Sequence, residues 1–186
     1  YWPNAGARGL FMGGNAPARS DVIDYITISS PGDAADFGDL TGDRAYLDDM
    51  KASFTRGIVG GGYLSGYVDI IDYITIATTG DAVDFGDLTR SSSGVGGLSN
   101  ATRCLFAGGS PTTTVIDYVQ MASLGNATDF GDVTGRSDPG SLDSPTRGVV
   151  AGGTPSTNII EYVTLASLGD AADFGDLDAA TIGPAG

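Results

Sequence analysis

The chain aligns with itself four times, and this self-similarity restricts the fold more than any other property of the sequence. The copies read RGLFMGGNAPARSDVIDYITISSPGDAADFGDL from Arg8, RGIVGGGYLSGYVDIIDYITIATTGDAVDFGDL from Arg56, RCLFAGGSPTTTVIDYVQMASLGNATDFGDV from Arg103 and RGVVAGGTPSTNIIEYVTLASLGDAADFGDL from Arg147. Their starts lie 48, 47 and 44 residues apart. A unit of that size cannot bury its apolar surface alone and has to stack on its neighbours. The interval from Tyr25, Tyr73, Tyr118 and Tyr162 to Phe37, Phe85, Phe130 and Phe174 is 12 residues in every copy, which marks a rigid hairpin. From the second glycine of each GG pair to the tyrosine it is 11 residues in two copies and 9 in the other two. Side chains alternate along a strand, so a change of two keeps every residue on its face, as a loop between paired strands requires.

Each unit reads as up to four short strands. An apolar strand such as Gly9 to Gly13 ends at the glycine pair, and Val22 to Ile28 follows the variable loop. A Gly-Asp turn at Gly32 and Asp33 then leads to a strand around Asp36 to Leu40. A fourth strand is expected in the divergent region after DFGDL, for instance Arg44 to Met50. In VIDYITI, Val22, Ile26 and Ile28 project to one face and Ile23 and Tyr25 to the other, so the strand needs cover on both sides.

Composition supports an all-β chain. Thirty glycines in 186 residues are about twice the number expected from an average usage of about 7%, and runs of Leu, Lys and Glu are missing. The acids number 23, all Asp except Glu161, against 9 basic residues, for a net charge of −14. That charge repels phosphate, and no Lys or Arg cluster offsets it, so neither nucleic acid nor an anionic membrane is an expected partner. No apolar run approaches the ~20 residues that span a bilayer. There is no histidine, and Cys104 is the lone cysteine, which excludes His-based triads, the usual zinc sites and an intrachain disulfide. The chain opens on Tyr1 without a basic stretch followed by an apolar one, and reads as a segment of something longer.

The repeated motifs read as structural. No lysine or helix start follows Gly13/Gly14, Gly61/Gly62, Gly108/Gly109 or Gly152/Gly153, so these pairs serve close backbone approach and positive φ, not phosphate binding. DFGD occurs four times with no HRD sequence or VAIK lysine, which leaves a phenylalanine plugging the space between units and aspartates bonding turn amides. Asp33, Asp36 and Asp39 could supply oxygens to calcium. The third copy, however, has Asn126 where the others have Asp33, Asp81 and Asp170, so any ion is expected to bind weakly and for stability, and no cofactor is expected. The acids Asp24, Asp72, Asp117 and Glu161 stand in an apolar strand. Each should either pair with the arginine that opens a copy or cap backbone amides. Four equivalent acids do not form one asymmetric active site, so no catalytic residue is expected.

Variation concentrates in NAPARSD, YLSGYVD, SPTTT and TPSTN, the loops that carry recognition when a repeat scaffold has any. Within them Tyr63 and Tyr67 are the candidate ligand contacts, because aromatic rings stack on sugar faces and anchor protein interfaces.

A double glycine after an apolar strand, followed by a tyrosine and a second aromatic, resembles the kelch repeat of β-propellers. Kelch units usually place a tryptophan soon after the tyrosine; here the second aromatic is the phenylalanine, and Trp2 is the only tryptophan. IDYITIATTGDAVDFGDLT, with TRGIVGGG and TRGVVAGG, looks like the repeat arrays of structural and tail-associated proteins of marine bacteriophages, particularly those of cyanobacteria.

The expected fold is therefore one all-β, β-propeller-like domain over residues 1–186, with four kelch-like blades of about 46 residues. The blades fall near 8–55, 56–102, 103–146 and 147–186, with 1–7 completing the last; a β-solenoid or a piece of a longer array is the alternative. From Leu40, Leu88 and Val133 to the next arginine is 16, 15 and 14 residues, and joining the chain ends would make the fourth interval 17, as if one ring had been cut once. The resemblance implies a non-enzymatic structural or adhesive module of a virion or extracellular appendage. Its partners would be other virion or appendage proteins and a host-cell surface glycan or protein. A secreted lectin-like propeller and a subunit of a homopolymeric filament are the alternatives.

Overall fold

The computed structural model describes residues 8–15, 17–47 and 50–184, and all regular structure in them is β. Four antiparallel sheets follow one another along the chain. Sheet I holds β1 (Arg8–Met12), β2 (Val22–Thr27) and β3 (Ala35–Asp39). Sheet II holds β4 (Lys51–Ala52), β5 (Arg56–Gly60), β6 (Ile70–Thr75) and β7 (Val83–Asp87). Sheet III holds β8 (Gly96–Ser99), β9 (Arg103–Ala107), β10 (Thr113–Gln120) and β11 (Thr128–Arg136). Sheet IV holds β12 (Gly140–Asp143), β13 (Arg147–Ala151), β14 (Thr157–Thr164) and β15 (Ala172–Thr181).

The fourth strand differs from expectation. Ala45 makes only an isolated bridge to Tyr63, and Asp48 and Asp49 lie outside the described residues. The strand forms later in each linker, as β4, β8 and β12, and pairs with the arginine strand of the next copy. Sheets and sequence copies are thus offset by one strand. The even change in loop length has a structural counterpart: β2 and β6 have 6 residues, whereas β10 and β14, after the shorter loops, have 8. There the ladder extends to Thr113↔Arg136 and Thr157↔Thr181.

Every hairpin carries a β-bulge at the same place. Ile23 lies opposite Gly38 and Asp24 opposite Asp36, which leaves Phe37 as the extra residue; Phe85, Phe130 and Phe174 are extra in the same way. A bulge re-aims a side chain, and here it turns Phe37, Phe85 and Phe130 toward the next sheet. Each ring meets the tyrosine of its own hairpin edge to face, with centroids 5.8–6.0 Å apart. The opening arginine lies over that tyrosine, 4.6–5.2 Å from its centroid.

The sheets bury apolar surface against one another in chain order. Ile23, Phe37 and Leu40 of sheet I meet Val59, Ile74 and Ala82 of sheet II. Ile58, Ile71 and Phe85 meet Cys104, Phe106 and Val119, and Leu105, Ile116 and Phe130 meet Val150, Val163 and Leu165. The strand interior is therefore covered on both sides, and each buried phenylalanine contributes about 1.5–3 kcal/mol. A short backbone ladder runs across each junction. The carbonyl of Phe37 accepts from Gly80 and that of Asp39 from Ala82, both at 2.7 Å. Phe85 with Gly125, Asp87 with Ala127, Phe130 with Gly169 and Asp132 with Ala171 repeat the pattern.

The acids in the apolar strand reach back to the preceding sheet. Both oxygens of Asp72 accept from Thr41, one from its amide at 3.1 Å and the other from its hydroxyl at 2.7 Å. The carboxylate also pairs with Arg44, and both ionic side chains are fully buried. Glu161 is held by Thr134 and Arg136 in the same way. The partner is thus a linker arginine and not the opening one. Arg8, Arg56 and Arg103 instead donate across the junction to the carbonyls of Ile76, Met121 and Leu165, each at 2.8 Å. At Asp72 and Glu161 both expected roles of the acid, pairing and amide capping, are filled at once.

The outermost faces have no such cover among the described residues: Phe11 is 60% exposed and Phe174 55%, against 2–3% for Val59, Phe106, Val150, Phe37, Phe85 and Phe130. The expected meeting of the chain ends involves residues 1–7, which, with Trp2, lie outside the described residues.

Candidate recognition surface

At the glycine-pair end the arginine strand of each sheet gives way to its loop through a tight turn. Gly61 and Gly62 have φ of +72° and +110°, and a Cβ on Gly62 would stand 2.9 Å from the Leu47 side chain. Only glycine allows this linker to run so close. Tyr63 follows directly and exchanges both backbone hydrogen bonds with Ala45, at 2.8 and 3.1 Å. The loop then folds back through a bond from the Leu64 amide to the Gly66 carbonyl and bridges Tyr63 to Tyr67.

The structure brings Tyr63 and Tyr67 together, edge to face with centroids 5.6 Å apart, and adds a third ring that the sequence reading missed. Tyr46 lies 6.3 Å from Tyr63 at an interplanar angle of 79°. Tyr46 is 63% exposed and Tyr67 42%, and the Tyr67 hydroxyl shares a hydrogen bond with Ser110 at 3.1 Å. The three rings come from the linker before sheet II and from that sheet's own loop, and Ser110 comes from sheet III, so the hydroxyl contact forms only when sheets II and III are docked.

Tyr46 sits in the left-handed region with φ of +54°, a conformation rare for a bulky residue. The corresponding linker residues Gly94, Asp138 and Gly183 share it, at +62°, +52° and +58°. The linkers therefore demand a left-handed residue at this point, and a tyrosine there costs about 1–3 kcal/mol. Strain kept at an exposed aromatic makes Tyr46 a candidate for ligand contact. The signal was in the sequence as the one aromatic at a linker site otherwise filled by Gly or Asp, but the linkers share too little to align by eye.

At the other end of the strands a cleft of about 490 Å³ is lined from all four sheets and their turns, among them Arg8, Met50, Phe54, Ile76, Asn100 and Asp143. Its carboxylate is already engaged, by Lys51 at 3.6 Å and by the Ser99 amide at 2.9 Å. The tyrosine surface is therefore the better recognition candidate.

The acids of DFGD and the Gly-Asp turn are engaged as acceptors. Asp84 and Asp129 accept from the amides of Gly86 and Gly131, while Asp81, Asn126 and Asp170 accept from Asp39, Asp87 and Asp132 in the preceding sheet. This explains Asn126, because an amide oxygen serves that position as well as a carboxylate. Among the described residues no group of three or more acids or thiols is placed to hold a metal ion. No family model matches the chain, and no curated protein matches it.

Proposed function

We propose that the chain is a non-catalytic, β-propeller-like array of kelch-like blades that presents its loop end for recognition. Its setting would be a virion or another extracellular appendage, where it contacts other appendage proteins and a host-surface glycan. The observation that carries the reading is the trio of exposed Tyr46 and Tyr67 with half-buried Tyr63 between them, whose mutually fixed rings suit the apolar face of a sugar. Rigid aromatic rings lose little conformational freedom on binding, which makes such a surface effective for weak, repeated contacts. The setting rests on the likeness of IDYITIATTGDAVDFGDLT to phage tail-associated arrays.

A glycan array followed by calorimetry on the best hit tests the proposal. Tyr67→Ala should weaken binding at least about tenfold, the equivalent of ~1.4 kcal/mol, while Leu124→Ala on a remote turn leaves it unchanged. Glycan binding that is indifferent to all three tyrosines would move the site elsewhere, and absence of glycan binding would leave the surface to a protein ligand.

A further inference from the structure

Each of the three internal junctions joins two different faces. The leaving face presents the bulged phenylalanine, the carbonyls of that phenylalanine and of the aspartate two residues on, and the opening arginine. The receiving face presents Val59, Phe106 or Val150, the Gly and Ala amides of the Gly-Asp-Ala or Gly-Asn-Ala turn, and the carbonyl that takes the arginine. Among the described residues the same two faces stand open on sheet I and on sheet IV. Sheet IV shows a leaving face: Phe174 is 55% exposed and Arg147 is exposed. A Cβ on Gly175 would meet nothing within 4 Å, whereas on Gly38 or Gly86 it would stand 2.5 Å from the backbone of the next sheet. Sheet I shows a receiving face: Phe11 is 60% exposed, Ile28 67%, and Ala34 is exposed.

We propose that a second copy of this chain docks head to tail, its Phe11 face on the Phe174 face of the first. The contacts follow those inside the chain. The Gly32 and Ala34 amides of one copy meet the Phe174 and Asp176 carbonyls of the other, Asp33 takes the Asp176 amide, and Arg147 donates to the Ile28 carbonyl. A heterologous contact of this kind closes into a ring when the rotation allows it and otherwise runs on as a filament.

One position departs from the internal pattern. Asp178 stands where Thr41, Thr89 and Thr134 precede the clamp on the acid, and residues 179–181 supply no arginine. Docking therefore brings Asp178 toward Asp24 without a counter-charge. The outer junction is weaker than the inner three and is helped by salt, which also screens the net charge of −14.

Sedimentation velocity of the full chain over a concentration series, at low and high salt, tests this. The expected result is a concentration-dependent dimer or larger species that is favoured by salt. Asp178→Thr, which restores the missing donor, should tighten it at least about tenfold. Phe11→Asp and Phe174→Asp alter exposed residues and should each give a folded monomer by circular dichroism. Mixed together, they should form a one-to-one heterodimer and nothing larger, because one intact pair of faces remains. A wild-type monomer at the highest concentration and salt, or self-association that survives either single substitution, overturns the proposal.

Discussion

Asp72 and Asp117 occupy the same position in successive copies and face different partners. Asp72 is bound by Arg44, so Asp72→Asn strands a buried guanidinium and should cost about 3–5 kcal/mol in a denaturant titration. Asp117 receives only Thr89, from its amide at 3.0 Å and its hydroxyl at 2.8 Å, because the bonds of Arg90 go to the carbonyls of Gly108 and Val115. Burial pushes the Asp117 carboxyl above 3.8, against the opposing pull of Thr89 and the charge of Arg90. The folded state then holds that proton more tightly than the unfolded one. Its share of stability is full below 3.8 and is lost as pH rises from there through the elevated folded value. Asp117→Asn should therefore stay within about 1 kcal/mol of wild type at neutral pH and flatten that part of the pH–stability curve. Tyr46 supplies the converse case: Tyr46→Gly should raise stability by about 1 kcal/mol by removing left-handed strain, while weakening ligand binding. A thermal melt beside a binding isotherm checks both halves.

At the scale of the hairpin, the bulge accounts for the constant 12-residue interval, since any insertion would swing the phenylalanine out of the junction. Gly86→Ala meets both a φ of +145° and the Gly125 backbone, whereas Gly175→Ala meets the left-handed cost alone, at +138°. The first should therefore lower the unfolding free energy by at least about 1 kcal/mol more than the second. Asn126→Asp should fold as wild type, because only the oxygen is used. The alternation in VIDYITI and the even loop change made these strands legible from sequence. The linker strands at the sheet edges were not: Lys51–Ala52 has two residues and Gly96–Ser99 opens on two glycines, so neither carries a periodic pattern. Tyr63 and Tyr67 were legible because they stand out in an aligned loop, whereas Tyr46 stands in linkers too divergent for the Gly and Asp at its equivalent positions to mark it. The arginine partner of the acid was misassigned for a related reason. It lies three residues after Thr41 and two after Thr134, an offset that an alignment of copies discards.

For the whole molecule, Cys104 is a built-in reporter. Its thiol is buried between sheets II and III, and desolvation pushes its pKa up to about 12. In the native state it should not react with a thiol reagent near about pH 8, and the labelling rate should rise with denaturant only as that junction opens. Fast labelling of the native chain would mean the two sheets part readily. The offset between copies and sheets also governs how the array bears load. Because β4, β8 and β12 are edges lent by the linker leaving the previous sheet, a pull on one terminus is relayed inward and does not peel off a single copy. An array built this way is expected to yield only when two neighbouring sheets part together.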